Sequence, residues 1–280
     1  DHAAVRAELI AGLLAPAAFT SPKYLYDALG SRLFEAITEL PEYYPTRTEA
    51  AIFKAHAAAM AALLPPACTL VDLGAGNCAK AAALFEPFAP GRYVAIDISV
   101  DFLRQSLGSL QARHPGLPML GLGMDFSSSL QLPPQAGQGP KVLFYPGSSI
   151  GNFTPEDALV FLRQALQACA GGGLLIGVDL LKPRALLEPA YDDALGVTAA
   201  FNRNLLLHLN ALVGSNFQPG DWQHVAFFND TARASKCICR PCAPWTCAGP
   251  AASGTLLRAS AYTLKTPTNG SRPILRSCCK

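Results

Sequence analysis

The 280-residue chain reads as an α/β protein with a parallel sheet covered on both faces. Three features predict this. Short apolar runs alternate with amphipathic stretches along most of the chain. The runs are apolar at successive positions, as strands buried on both sides must be. The first of them closes on the glycine turn Gly74-Ala75-Gly76.

The elements follow in order. Ala4–Leu14, Tyr24–Leu40 and Glu49–Leu64 carry helical spacing, and Pro65-Pro66 ends the third. Cys68–Leu73 is a buried strand, and Ala79–Phe88 reads as the helix behind the glycine turn. Tyr93–Ile98 is a second strand, with a helix over Val100–Arg113. Met119–Met124 and Val142–Tyr145 are further strands. Pro155–Cys169 is a helix with Thr154 as N-cap and Glu156 and Asp157 in its first turn. Gly173–Leu180 is another buried strand. The pattern is mostly helical from Lys182 to Val213, and His224–Phe228 can begin a late strand.

Composition excludes several classes. Half of the residues are hydrophobic and 15% are charged, which is too apolar for a disordered chain. No apolar run reaches the ~18 residues of a membrane span. The first residues do not resemble a secretory signal, and because the chain starts without Met its natural N-terminus is expected to lie further upstream. The net charge of +2 conceals an asymmetry. All 20 acids lie at or before Asp230, whereas Ala234–Lys280 holds seven bases and six of the nine cysteines. The body therefore has 15 bases (22 − 7) against 20 acids, net −5, and the tail is +7.

Chemistry-bearing residues fall at successive strand ends. Gly74 and Gly76 permit close backbone approach to a ligand, and the following helix N-terminus favours negative charge. Asp97 ends the second strand, where a carboxylate accepts from both hydroxyls of a ribose. Asp125 and Phe126 end the third, where an acid and an aromatic ring suit an adenine. Any one of these is equally a plain turn or strand-end carboxylate. Together they converge on the carboxyl edge, where such sheets bind ligands. Ala79 occupies the position of the third glycine of a dinucleotide fingerprint, which disfavours a nicotinamide enzyme and permits a methyl-donor site.

Four segments resemble one family, the S-adenosylmethionine-dependent histidine-specific methyltransferases of ergothioneine biosynthesis. They are LYDALGSRLFEAITELPEYYPTRTEA (25–50), VDLGAGNCAK (71–80), GSSIGNFTP (147–155) and YDDALGVTAAFNRN (191–204). The resemblance implies a Rossmann-like class I methyltransferase core over 48–190 and a smaller substrate-binding domain from 1–47 plus 191–233. It implies that Gly74, Lys80, Asp97, Asp125 and Phe126 hold S-adenosylmethionine. It implies that Tyr43, Asn152 and Tyr191 hold the amine and carboxylate of histidine, with Tyr26 and Asn152 closest to the reacting amine. No metal is required. A free amino acid is the expected partner of a cytoplasmic monomer, with no nucleic acid or membrane involved. Another amino acid or an indole substrate stays open.

The tail departs from the family pattern. A strand resembling R-I-E-M-x-L and a loop resembling T-E-x-S-x-K are missing, yet both reappear when Ala234–Pro241 and Ala261–Gly270 are back-translated and read one base earlier. This predicts that 234–280 is a frameshifted translation, that the late strand after Phe228 loses its hairpin partner and exposes an edge, and that activity is weak or absent. The competing reading of Cys237, Cys239, Cys242 and Cys247 as a zinc site lacks two clean CxxC knuckles and a histidine.

Overall fold

The computed structural model describes residues 2–229 and 234–242, and the strand backbone of 246–248, 261–263 and 275–277. In chain order the helices and strands are α1 (His2–Leu13), β1 (Phe19–Thr20), α2 (Ala28–Thr38), α3 (Tyr44–Ala61), β2 (Thr69–Leu73), α4 (Ala79–Ala82), α5 (Phe85–Phe88), β3 (Arg92–Asp97), α6 (Val100–Arg113), β4 (Met119–Gly123), β5 (Lys141–Tyr145), α7 (Pro155–Ala168), β6 (Gly173–Ile176), α8 (Arg184–Leu187), α9 (Val197–Val213), β7 (Trp222–Asn229), β8 (Ala234–Pro241), β9 (Thr246–Ala248), β10 (Ala261–Thr263) and β11 (Leu275–Ser277). Two compact units result. One is Tyr44–Leu180, and the other joins the residues up to Tyr43 with those from Leu181 onward. The sequence alone puts these boundaries at 47/48 and 190/191.

The Tyr44–Leu180 unit is a five-stranded parallel sheet in the order β4-β3-β2-β5-β6. Alternation sorts its side chains. Leu70, Tyr93, Ala95, Val142 and Phe144 face one layer with Phe53 and Met60 of α3, Phe85 and Phe88 of α5, and Leu103 and Leu110 of α6. Val71, Leu73, Val94, Ile96, Leu143 and Tyr145 face the other, covered by Phe161 and Ala165 of α7 together with Leu130 and Ala136. Both faces are covered, so each central strand is largely apolar, as the sequence predicts, with Asp72 of β2 a buried exception. Because every strand runs the same way, all their carboxyl ends lie along one edge.

Several helices differ from their expected extents. The predicted helix Ala79–Phe88 is two single turns, interrupted at Ala83 and Leu84. Tyr24–Leu40 breaks at Tyr26, because Pro22–Leu25 forms a 3-10 turn and the Asp27 carboxylate accepts the Gly30 amide at 2.7 Å to start α2 afresh. α3 begins at Tyr44, five residues before the expected Glu49.

In the other unit, α9 buries Phe201, Leu205, Leu206, Leu209 and Val213 at helical spacing, and packs against α2 and the sheet. That sheet runs β1-β11-β8-β7. Here the structure corrects the sequence. Ala234–Pro241 is a strand, antiparallel to β7 over all eight residues from Trp222↔Pro241 to Asn229↔Ala234. The late strand therefore keeps its hairpin partner. Cys237, Ile238 and Cys239 are all at most 2% exposed. Cysteine acts here as a small apolar residue, which a reading of charge and periodicity overlooks. Among the described residues no group of three or more His, Cys, Asp or Glu is placed to hold a metal ion; the side chain of Cys247 lies outside those residues.

Ile238→Asp is expected to lower the unfolding free energy by about 3 kcal/mol, the scale of an unpaired charge in a buried strand. Urea denaturation followed by circular dichroism measures it, and an unchanged midpoint would show that β8 does not belong to the cooperative fold.

Candidate functional site

The site in the Tyr44–Leu180 unit is built at the carboxyl edge, where β2 leaves the sheet. Gly74 and Gly76 have φ of +73° and +53°, a region L-residues with side chains rarely adopt. The Gly74 and Ala75 amides donate to the Ile96 carbonyl at 2.9 and 3.0 Å. Asp97 completes the turn: its Oδ2 accepts the Gly76 amide and its Oδ1 the Ser99 amide, both at 2.9 Å. Each carboxylate oxygen keeps a further lone pair for a ligand hydroxyl. A Cβ at Gly74 would lie 4.0 Å from the Phe126 ring, so the ring flanks the glycine turn. Phe126 is itself held by Tyr145 and Phe161, at centroid distances of 5.5 and 6.1 Å. Asp125 accepts the Ser127 amide at 3.0 Å and the Ser127 hydroxyl. The predicted Gly74, Asp97 and Phe126 are thus one cluster.

The sequence places a long helix N-terminus behind the glycine turn to favour negative charge, but α4 is a single turn with little dipole. Lys80 of α4 is a cation beside this turn. It donates to Glu49 of α3 at 2.5 Å, and Glu49 also accepts the Gly147 amide at 2.6 Å. Beyond β5, Gly147 and Ser148 both take positive φ and lead into a 3-10 turn, Ser149–Asn152, which carries Asn152. Ser148 Oγ accepts the Asp179 amide at 3.0 Å, and the Tyr44 hydroxyl donates to the Asp179 carboxylate.

Sequence reasoning overlooks Glu49 and Asp72. Asp72 is 2% exposed inside β2 and accepts the Tyr93 hydroxyl at 2.7 Å. Burial, the largest influence, pushes its carboxyl up to about 7. Tyr93 and Lys80 oppose the shift, and Asp97 and Glu49 add to it. An acid inside an otherwise apolar strand is the signal that could have found it.

The predicted tyrosines lie in the other unit, where the structure gathers them. Tyr26 and Tyr43 pack edge-on to Phe34 at 5.5 and 6.2 Å, and Tyr43 meets Tyr191 at 6.3 Å and 90°. Phe201 of α9 closes the group, 5.5 Å from Tyr26. The block that supplies Tyr191 also fixes α9. Asp193 accepts the Val197 and Thr198 amides at 2.9 and 2.7 Å. Burial, the largest single influence, would raise the Asp193 carboxyl, but the bonds from Thr198 and Val197 together hold it below its ordinary value. His224 contacts Asn202 at 2.9 Å through Nδ1 and the Tyr191 carbonyl at 2.8 Å through Nε2. A carbonyl only accepts, so Nε2 carries the proton.

A parallel sheet with a glycine turn after its first strand and acids at the ends of the next two is the core of a class I S-adenosylmethionine-dependent methyltransferase. The sequence profile described as "Histidine-specific methyltransferase, SAM-dependent" matches residues 5–260, and the chain belongs to that family. The match continues past Ala234, so a departure from the family at that residue is not supported. The chain is 39% identical over 231 residues to the histidine N-alpha-methyltransferase of Mycolicibacterium smegmatis, covering 81% of this chain and 71% of that protein. It is 35% identical over 207 residues to the ergothioneine biosynthesis protein 1 of Neurospora crassa, covering 71% of this chain and 24% of that one. Among solved structures, the plantazolicin methyltransferase BpumL in complex with SAH is similar at 12% identity and a TM-score of 0.36, over 61% of this chain and 58% of that chain.

Asp72 generates a pH prediction. The unfolded carboxyl ionises near 3.8, whereas the folded one keeps its proton to about 7. Its contribution to stability is therefore fully present below pH ~4 and is lost as pH rises to about 7, a change on the order of 4 kcal/mol. Asp72→Asn cannot ionise, so its stability relative to the parent is expected to climb across that window. Parallel stability curves from urea melts between pH 4 and 8 would refute this.

Proposed function

We propose that the chain transfers methyl groups from S-adenosylmethionine to the α-amine of free L-histidine, in three successive steps that give trimethylhistidine (hercynine). The observation that carries this reading is the match of residues 5–260 to a histidine-specific family. The tyrosine group Tyr26, Tyr43 and Tyr191 supports it.

The residues suit the cofactor. Positive φ at Gly74 and Gly76 leaves bare backbone for close approach, Asp97 offers lone pairs to ribose hydroxyls, and Asp125 with Phe126 suits an adenine. Lys80 supplies a cation for the carboxylate of its amino-acid end. When bound, the cofactor supplies a methyl group activated on a sulfonium. In this reading the Tyr44–Leu180 unit carries the cofactor residues together with Asn152, and the other unit carries Tyr26, Tyr43 and Tyr191.

The amine must be neutral to attack, since its protonated form has no lone pair and a free α-amine has a pKa of about 8. The hydroxyls of Tyr43 and Tyr191 donate to the substrate carboxylate. Asn152 Oδ1 accepts an amine N–H and so directs the lone pair, and Tyr26 lies beside the amine. Rate then comes mainly from alignment. The compartment is read as cytoplasmic: Cys68, Cys78 and Cys169 are free buried thiols, which suits a reducing environment.

Incubating the chain with S-adenosylmethionine and L-histidine is expected to give trimethylhistidine by mass spectrometry, and absence of any methylated histidine would refute the reading. Asp97→Ala is expected to raise KM for the cofactor by tenfold or more (about 1.4 kcal/mol per tenfold). Tyr43→Phe is expected to raise KM for histidine and leave that for the cofactor unchanged. Equal effects on both substrates would contradict this division of labour.

A further inference from the structure

Glu49 makes several contacts at the carboxyl edge, and it faces inward, 13% exposed. Its Oε1 accepts the Gly147 amide at 2.6 Å and its Oε2 takes the Lys80 ammonium at 2.5 Å. A Cβ at Gly177 would collide with the same Oε1, so the chain leaving β6 also passes directly beside this carboxylate. One side chain of α3 thus touches the ends of β5 and β6 and the helix behind the glycine turn.

The two contacts make different demands. The Gly147 amide needs only an acceptor, which a neutral side chain would provide. The negative charge is needed at Lys80, whose ammonium sits on a flexible four-carbon stem and points nowhere by itself. A charge-assisted contact from a largely buried carboxylate fixes where that cation is presented.

We propose that Glu49 is a positioning residue that holds Lys80 at the place where the amino-acid end of the cofactor binds, leaving the adenosine end to Asp97, Asp125 and Phe126. This rests on the assignment of Lys80 made under Proposed function. Glu49 itself performs no chemistry on the methyl group.

The test compares two probes by calorimetry on the full chain. S-adenosylhomocysteine carries both ends of the cofactor, whereas 5′-methylthioadenosine lacks the amino-acid end. Glu49→Gln keeps an Oε1 for the Gly147 amide and removes the charge that holds Lys80. The parent is expected to bind both probes. Glu49→Gln should weaken S-adenosylhomocysteine about tenfold and leave methylthioadenosine within about twofold, the loss of one charged contact. Lys80→Met should give the same pattern. Equal loss of both probes in Glu49→Gln, no loss of either, or a Glu49→Gln chain that does not fold would overturn the proposal in favour of a structural role. A drop confined to Lys80→Met would reject Glu49 alone and keep the assignment of Lys80. A parent that binds neither probe would reject the cofactor reading itself.

Discussion

The hydrogen bond from the Gly76 amide to Asp97 Oδ2, 2.9 Å long, joins the turn after β2 to the end of β3. It is possible because β2 and β3 are parallel and paired Leu73↔Ile96, so both strands leave the sheet at one edge. The turn has positive φ at two glycines and would otherwise present unpaired amides to solvent. Ile96 takes two of them and Asp97 a third. The carboxylate is therefore fixed before any ligand arrives, and its remaining lone pairs point from a rigid strand end. Such preorganisation lowers the ordering cost of binding.

That dependence explains why this part of the site was legible in the sequence. In a doubly wound sheet the strand ends share one edge, so Gly74, Asp97 and Phe126 can be placed together once three strands are found. The strands themselves are unmistakable because they are largely apolar on both faces. The breaks within helices were less visible. Periodicity shows that Tyr24–Leu40 is amphipathic, but not that Asp27 takes the Gly30 amide and restarts the helix. Strand β8 was hidden for another reason. Its signal is Ile238 between two buried cysteines, and it becomes a strand through pairing with β7. Its unusual composition suggests a loss of structure, but a residue's charge class says little about whether its neighbours can form a ladder.

The remaining candidate residues are legible only through resemblance. Tyr26, Tyr43 and Tyr191 come from separate parts of the chain, and no local pattern distinguishes them from packing residues. Phe34 and Phe201 bring them together. Glu49 escaped notice because its meaning is relational. It is 31 positions from Lys80 and 98 from Gly147. On a helix surface it looks like one more solvated acid.

The charge asymmetry that first divides the chain into body and tail is less informative than the balance at this one edge. Asp72, Asp97 and Glu49 are close enough that the other two, with Lys80, bias the titration of Asp72. Each of these three acids is offset locally. Glu49 is paired with Lys80, Asp97 is spread over two backbone amides, and Asp72 is buried deeply enough to hold its proton to about pH 7. These three groups therefore remain available as acceptors while the negative charge of each is locally offset.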